Sequence, residues 1–334
     1  MNLRPLLRTL RAGDTRARLS ALRTARHALT VAVTGAALRT GLLVELREPG
    51  QVPDVARRRG WDPVLTEALL ESFAAHGLLV RTPTGWCTSP QGQRILDDEV
   101  VSAAYEAFAT YHTGLYRDLE PQLRSGGERQ DIELDGELIA RLSRFMDEFV
   151  LAELDRVVAE RPPTRLLDVG CGAAAHLRHV LRRVPDASAV GVETDGPAAG
   201  LARAAVEQEG LRERAEIVEA DVRDFLDRGA GEVFDLVLLA NVIYYVPVGE
   251  RVALLTALAE RLRPGGRLMV VTTALTDDSF SRHFDLLLRA QRGAAELPDM
   301  EVLADQVRQA GLEPEAPRRI APGEPLTALL ARRR

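Results

Sequence analysis

Arg165-Leu166-Leu167-Asp168-Val169-Gly170-Cys171-Gly172-Ala173-Ala174-Ala175-His176-Leu177 is the stretch on which the reading of this 334-residue chain turns. Its short apolar run ending in Asp168 lacks polar alternation and is punctuated at once by glycines, the pattern of a parallel strand buried on both faces. Gly170 and Gly172 permit positive φ and put no Cβ between backbone and ligand. The apolar positions from Leu177 to Val184 repeat at helical spacing, so a helix starts directly after the turn. A strand, a glycine turn and a helix N-terminus together make a nucleotide-sized site.

Outward from that stretch, strands are expected at Arg165–Val169, Ala189–Glu193, Ala215–Glu219, Phe234–Ala240 and Gly266–Thr272. Helices are expected between them at Ala173–Val184, Pro197–Glu209, Val222–Arg228 and Gly249–Leu262, followed by helices over Phe280–Arg292 and Met300–Ala310 and the apolar segment Leu326–Leu330. Alternation of this kind specifies a doubly wound, Rossmann-like α/β sheet.

Upstream the character differs. Met1 to Leu46 carries apolar residues at helical spacing (Leu3, Leu6, Leu7, Leu10, then Leu38, Leu42, Leu46), and Pro49-Gly50 ends it. A short helix over Val52–Arg59 stops at Gly60, and a longer one over Pro63–His76 has Asp62 as its cap, Pro63 at its first position and Gly77 just past its end. Leu78–Thr82 and Trp86–Thr88 form two short strands around Pro83-Thr84-Gly85. Helix, helix and hairpin make a winged helix, so the fold class is α/β, a Rossmann-like doubly wound sheet preceded by a mostly helical winged-helix domain. Asp97 to about Glu160 is helical throughout, broken at Pro121 and at Ser125-Gly126-Gly127, and concentrates Tyr105, Phe108, Tyr111, His112 and Tyr116 in a chain only 4% aromatic. Arg117, Arg124, Arg144 and the pair Phe145 and Phe149 lie in the same segment, which is either glue between domains or a lid over a substrate pocket. The expected domains are 1–95, 96–160 and 161–334.

Composition narrows the function classes. The chain is 46% hydrophobic and 28% charged, enough for a full core, and its net charge of -6 names no partner. Arg supplies all 43 basic side chains. Cys87 and Cys171 are far apart, which suggests neither a disulfide framework nor a zinc site and fits a reducing compartment. The longest early apolar run, Ala28 to Leu38, stops at Arg39, short of a bilayer's span, so a cytoplasmic protein with no membrane partner is expected. The basic cluster Arg57-Arg58-Arg59 favours nucleic acid, yet the helix in the recognition position carries Asp62, Glu67 and Glu71 and no Arg. Base edges and phosphates call for Arg, Lys, Asn or Gln there, so the winged helix is expected to serve packing and oligomerisation, with no nucleic-acid partner.

Leu166-Leu167-Asp168-Val169-Gly170-Cys171-Gly172, Gly191-Val192-Glu193, Glu219-Ala220-Asp221-Val222 and Leu262-Arg263-Pro264-Gly265-Gly266-Arg267-Leu268 resemble successive motifs of class I S-adenosylmethionine-dependent methyltransferases, over roughly Arg161 to Arg334. With the winged helix and helical linker, the whole chain is similar to antibiotic-type small-molecule O-methyltransferases, which use that first domain to dimerise. The resemblance implies S-adenosyl-L-methionine as cofactor, a homodimer and a small organic acceptor of the specialised-metabolite kind. It implies that Glu193 accepts the ribose hydroxyls, that Asp221 and the Val222 N–H address the adenine, and that Asp168 lies near the methionine moiety or braces the glycine loop. Gly170 and Gly172 admit the cofactor to the backbone, and Asn241 is counted with them. A dehydrogenase would also place an acid at Glu193, whereas the Pro264-Gly265-Gly266 turn points to the methyltransferases. One departure is Ala174, where the family usually has its third glycine.

The acceptor side departs further. The family's histidine after the fourth strand is here Tyr244, and Thr272 and Thr273 follow the fifth strand where an acid is expected. A phenol with its ordinary pKa near 10 is a poor base at pH 7, so Tyr244 is expected to donate a hydrogen bond or form a wall. His112 and His283 are the other candidates for the base, and Tyr111, Tyr116, Arg117, Phe145 and Tyr245 for substrate contact. His176 and His179 share a helix face but have no third ligand nearby, so a solvated face is expected and no metal. Oxygen, carbon and nitrogen acceptors all stay open, O-methylation being slightly favoured. A ligand-sensing winged-helix regulator with a non-catalytic second half is the reading from another class.

Overall fold

The computed structural model describes residues 13–126, 129–131, 136–228, 233–293 and 295–334. The helix expected over Leu3, Leu6, Leu7 and Leu10 lies outside these residues. The described residues through Leu119, together with Gly136–Ser143, form one compact unit; those from Glu120 to 131 and from Arg144 to Arg334 form the other.

In the first unit α1 (Thr15–Arg39) begins at Asp14, whose side chain accepts from the Arg16 and Ala17 N–H groups. The expected single helix to Leu46 is interrupted at Gly41, which adopts φ +69 and starts the separate turn α2 (Leu42–Glu45). The left-handed backbone at Gly41 is inexpensive for glycine and stops helical propagation. Then come α3 (Val52–Arg59), α4 (Pro63–Ala75) capped by Asp62, and the antiparallel pair β1 (Leu79–Thr82) and β2 (Gly85–Thr88). Leu42, Leu43, Leu46, Val55, Leu70, Phe73, Leu78 and Trp86 form this winged helix's core. The basic cluster is engaged by acids: Arg57 binds Asp54 at 2.7 Å, and Arg58 and Arg59 both hold Glu45.

Helices α5 (Pro90–Asp97), α6 (Glu99–Ala107), α7 (Thr113–Arg117), α8 (Leu119–Ser125) and α9 (Gly136–Ser143) follow. The uniform helix expected here is broken by a π-helical turn over Phe108–His112 and a 3₁₀ turn over Arg144–Met146. Phe145 therefore does not share one continuous helix with Phe149, which lies in α10 (Asp147–Glu160).

The second unit is built on β3 (Arg165–Val169), β4 (Ser188–Glu193), β5 (Ala215–Glu219), β6 (Phe234–Ala240), β7 (Leu262–Thr273), β8 (Leu312–Pro314), β9 (Arg318–Arg319) and β10 (Leu326–Arg333). Their order is β5-β4-β3-β6-β7-β10-β8, with β9 on β10. β3 to β7 run parallel, and β10, the expected apolar C-terminal segment, is antiparallel to β7 and β8. The intervening helices are α11 (Ala175–Arg183), α12 (Gly196–Gln208), α13 (Val222–Arg228), α14 (Val248–Glu260), α15 (Ser279–Arg289) and α16 (Met300–Gln309).

The uninterrupted apolar runs follow from burial on both faces. Leu167, Val169, Val237, Leu239, Leu268 and Val270 pack with α14 and α16, whereas Leu166, Leu236, Leu238, Met269 and Val271 pack with α10, α11 and α12. Each such side chain contributes about 1.5–3 kcal/mol when fully buried. The Pro264-Gly265-Gly266 turn lies inside β7 rather than before it. Phe234 pairs with Leu262 and Leu236 with Arg267, so the chain bulges between them, with Gly265 at φ +74.

Candidate active site

The carboxyl ends of β3 and β6 lie side by side where the strand order reverses, the usual crevice for a ligand in an open α/β sheet. Gly170 leaves β3 at φ +66, and a Cβ there would stand 2.5 Å from Val242 Cγ2, so the loops after β3 and β6 touch at this point. Gly172 has φ +52 and no atom within 4 Å of a built Cβ, which leaves open space over the turn. Ala174 is also left-handed, at φ +59, and fully buried, and it is the N-cap of α11. The helix thus starts two residues later than expected.

Glu193 closes the turn from the β4 side. Its Oε2 accepts from the Gly172 N–H at 2.8 Å and its Oε1 from the Asp195 N–H at 3.0 Å. Each carboxylate oxygen accepts more than one hydrogen bond, so both keep capacity for a ligand's hydroxyls. Asp195 separately caps α12 through the Ala198 N–H. At the end of β5, Asp221 accepts from the Arg223 N–H at 2.7 Å and stays exposed, and Val222 opens α13. Asn241 stands at φ +58 at the end of β6, its N–H bonded to the Val271 carbonyl.

Asp168 is 1% exposed, and its Oδ2 is a buried oxygen without a hydrogen-bond partner. Burial pushes its carboxyl up to about 6, against the pull of His176 and of the Leu177 N–H, while the Glu193 charge adds to the rise. Burial also drives the Cys171 thiol well above its usual range. Its sulfur would lie 2.8 Å from a Cβ on Gly191, so Cys171 fills the floor of the turn as an inert packing group.

On the acceptor side, Val242 leads into a 3₁₀ turn over Ile243–Tyr245. Tyr244 is 6% exposed and packs edge-on to Tyr245 at 4.6 Å and to Phe284 at 5.6 Å, with Phe280 stacked beyond it. Leu275, Leu288, Ala295 and Leu297 complete that cluster. The turn is pinned from behind by Arg251, a buried cation on α14 that donates to the Val246 and Glu296 carbonyls, while the Glu296 N–H donates to the Tyr244 carbonyl. Nothing local in the sequence announces Arg251, because its second carbonyl lies 45 residues away. His283 is on α15 beside Phe284, and burial holds its imidazole below the ordinary value.

The structure brings Asp168, Gly170, Gly172, Glu193, Asn241, Tyr244, Tyr245 and His283 into one unit with Asp221, Val222 and Phe145. Phe145 is 59% exposed in its 3₁₀ turn. Tyr111, His112, Tyr116 and Arg117 belong to the other unit. There Tyr111 and His112 are buried, His112 stacked on Phe108 at 4.3 Å through the π-helical turn, while Tyr116 and Arg117 are exposed. His176 and His179 do not form the expected solvated face. His179 Nε2 is 2.7 Å from Asp155 and His176 Nε2 is 3.6 Å from Asp147, both on α10, because that face of α11 packs against α10. Among the described residues no group of three or more His, Cys, Asp or Glu is placed to hold a metal, and no helix is long and apolar enough to cross a membrane.

A methyltransferase-domain family model matches residues 166–266. Over 180 residues the chain is 30% identical to a ubiquinone biosynthesis O-methyltransferase of Cereibacter sphaeroides, in an alignment covering 51% of this chain and 70% of that one. The chain belongs to the class I S-adenosylmethionine-dependent methyltransferases. A trans-aconitate 2-methyltransferase of Deinococcus radiodurans is 32% identical over 131 residues, covering 39% of this methyltransferase and 46% of that one. Among solved structures, the mitomycin 7-O-methyltransferase MmcR has a TM-score of 0.75 at 21% identity, covering 96% of this chain and 100% of that one, and PigF with SAH has 0.74 at 19%, covering 94% and 99%. These two share the fold. The cofactor of this methyltransferase is S-adenosyl-L-methionine, and the site fits it: the orphaned Asp168 oxygen and the open space over Gly172 are the features a cationic, nucleoside-bearing ligand would fill.

Proposed function

We propose that this methyltransferase transfers the methyl group to a hydroxyl of a small, flat organic acceptor of the specialised-metabolite type. The observation that carries this reading is the uncharged aromatic wall of Tyr244, Tyr245, Phe280 and Phe284, set by the loop after β6 beside the glycine turn. Such a wall favours a planar ring over an extended or highly charged acceptor. The similarity to a ubiquinone biosynthesis O-methyltransferase supports oxygen as the methylated atom.

In this reading Glu193 accepts the ribose hydroxyls on the outer lone pairs of oxygens already fixed by the Gly172 and Asp195 N–H groups. Asp221 and the Val222 N–H face the adenine, Asn241 shapes the crevice at the end of β6, and Asp168 faces the methionine end. Bound there, the cofactor supplies a sulfonium methyl group open to in-line attack, and alignment is the main demand. Tyr244, clamped by its stacking partners and by the Glu296 N–H on its carbonyl, orients the acceptor. His283, kept neutral at pH 7 by burial, takes the hydroxyl proton. The winged helix of residues 1–95 serves homodimerisation; the exposed Leu19, Leu22 and Leu29 on α1 support that role.

The test is methyl-labelled cofactor with matched panels of phenols, amines and activated-carbon acceptors, followed by mass spectrometry. Label on phenolic oxygen is expected. Label confined to carbon or nitrogen refutes the reading. Tyr244→Phe should keep kcat within tenfold and His283→Gln should lower it by more than tenfold with cofactor affinity unchanged; the opposite ranking refutes the roles given to these two residues.

A further inference from the structure

Asp221, in the turn after β5, is held at both of its carboxylate oxygens by one residue. Oδ1 accepts from the Arg223 N–H at 2.7 Å, and the Arg223 guanidinium turns back toward Oδ2, with Nη1 3.8 Å away. The other arm of the guanidinium leaves the turn: Nη2 donates to Glu250 Oε2 at 2.5 Å, in the first turn of α14. Asp221, Arg223 and Glu250 thus form an acid, base, acid chain that ties the turn after β5 to the helix after β6. We propose that Arg223 is a positioning residue for cofactor recognition: anchored by Glu250, it fixes the rotation of the Asp221 carboxylate that accepts from the exocyclic amino group of the adenine. The inference rests on the placement of Asp221 at the adenine given above.

The physical case begins with exposure. The side chains of Asp221, Arg223 and Glu250 are 45%, 49% and 56% exposed, and ion pairs so open to water add little to folding stability. What the chain of contacts supplies is order. An unheld aspartate in an exposed turn samples several rotamers, and a ligand that needs one of them must fix it on binding. The anchor for that order is itself fixed. Val222 and Phe225 pack against the core cluster that Leu226 shares with Leu254, Leu255 and Leu258 of α14. Near the far end of α13 the Arg261 guanidinium, just past α14, donates to the Leu226 carbonyl. Helix α13 is therefore tied to the α14 region near both ends, and Arg223 reaches Glu250 from a rigid base. Arg228, by contrast, pairs within α13, with Asp224 at 4.0 Å. An oriented carboxylate acts on the identity of the base. Adenine offers Asp221 an amino donor, and beside it a ring nitrogen that accepts from the Val222 N–H. Hypoxanthine offers an oxygen and an N–H at those positions, acceptor against acceptor and donor against donor, and a mismatch of that kind is felt most when the protein group cannot turn away.

The test is calorimetric titration of the full chain with S-adenosylhomocysteine and with S-inosylhomocysteine, whose base carries an oxygen in place of the amino group, for the native protein, Arg223→Gln, Glu250→Gln and Asp221→Asn. The readout is the ratio of the two affinities, which a general loosening of the fold lowers for both ligands alike and so leaves unchanged. Arg223→Gln should keep the native Tm and lower the preference for adenine about fivefold, the Arg223 N–H still holding Oδ1. Glu250→Gln, which frees the anchor but leaves the guanidinium, should lower it by less and covers the case in which Arg223→Gln does not fold. Asp221→Asn should lower it further than either. An unchanged ratio in Arg223→Gln, or in Glu250→Gln where it alone folds, while Asp221→Asn lowers the ratio, overturns the inference alone. Tighter binding of S-adenosylhomocysteine by Arg223→Gln does the same, because it would show the guanidinium competing with the base for Asp221. An unchanged ratio in Asp221→Asn overturns the placement of Asp221 at the adenine, and the inference with it.

Discussion

Asp168→Asn separates the stability of this fold from its function. The native carboxyl titrates near 6 in the folded chain, against an ordinary value of 3.8, because burial disfavours its charge. An acid whose pKa rises on folding contributes stability that is fully present below its unfolded pKa and is lost as pH rises through its folded pKa. That loss amounts to about 3 kcal/mol by pH 8, of which about half has accrued at pH 5. Asparagine keeps the shape and carries no charge at any pH, so the variant escapes the loss. Its stability relative to the native chain should therefore rise by about 1.5 kcal/mol between pH 5 and pH 8, trimmed slightly because His176 loses a stabilising neighbour. For a unit of this size that is a relative gain in Tm of about 3–6 °C. The same substitution should abolish binding of S-adenosylhomocysteine at pH 8. The assay is differential scanning calorimetry of both proteins without ligand at the two pH values, with isothermal titration at pH 8. A Tm difference that does not grow with pH would show that Asp168 carries no buried charge, and the argument would fall.

Glu193→Gln places an amide N–H₂ where two backbone N–H groups already converge, so one donor is left facing a donor. Affinity for S-adenosylhomocysteine should fall about thirtyfold, about 2 kcal/mol, by titration calorimetry, and unchanged affinity would remove Glu193 from the cofactor. Gly170→Ala must tolerate both φ +66 and a methyl 2.5 Å from Val242, whereas Gly172→Ala meets only φ +52 and open space. In urea unfolding the first should cost roughly 2–4 kcal/mol and the second roughly 1–2 kcal/mol, and equal costs would show that the two loops do not touch.

The sequence by itself determined the elements of this methyltransferase, because the signals that mark them are local. Buried parallel strands need continuous apolar runs, and β3 and β6 lie where those runs are. Helix starts are written in short-range caps such as Asp62 and Asp195, which satisfy their own helices' first N–H groups. The four family motifs are likewise contiguous, so the cofactor and the enzyme class were legible from residues alone. Tertiary structure decided what depends on contacts between distant segments. It paired His176 and His179 with aspartates on α10, turned Glu193 into a brace for the glycine loop, and set Arg251 behind the tyrosine turn. It also placed the π-helical turn that stacks His112 on Phe108, and a β7 that bulges through its proline instead of starting after it. Periodicity records which face of an element is buried; the charge partner on that face comes from another element, and only the folded chain brings the two together.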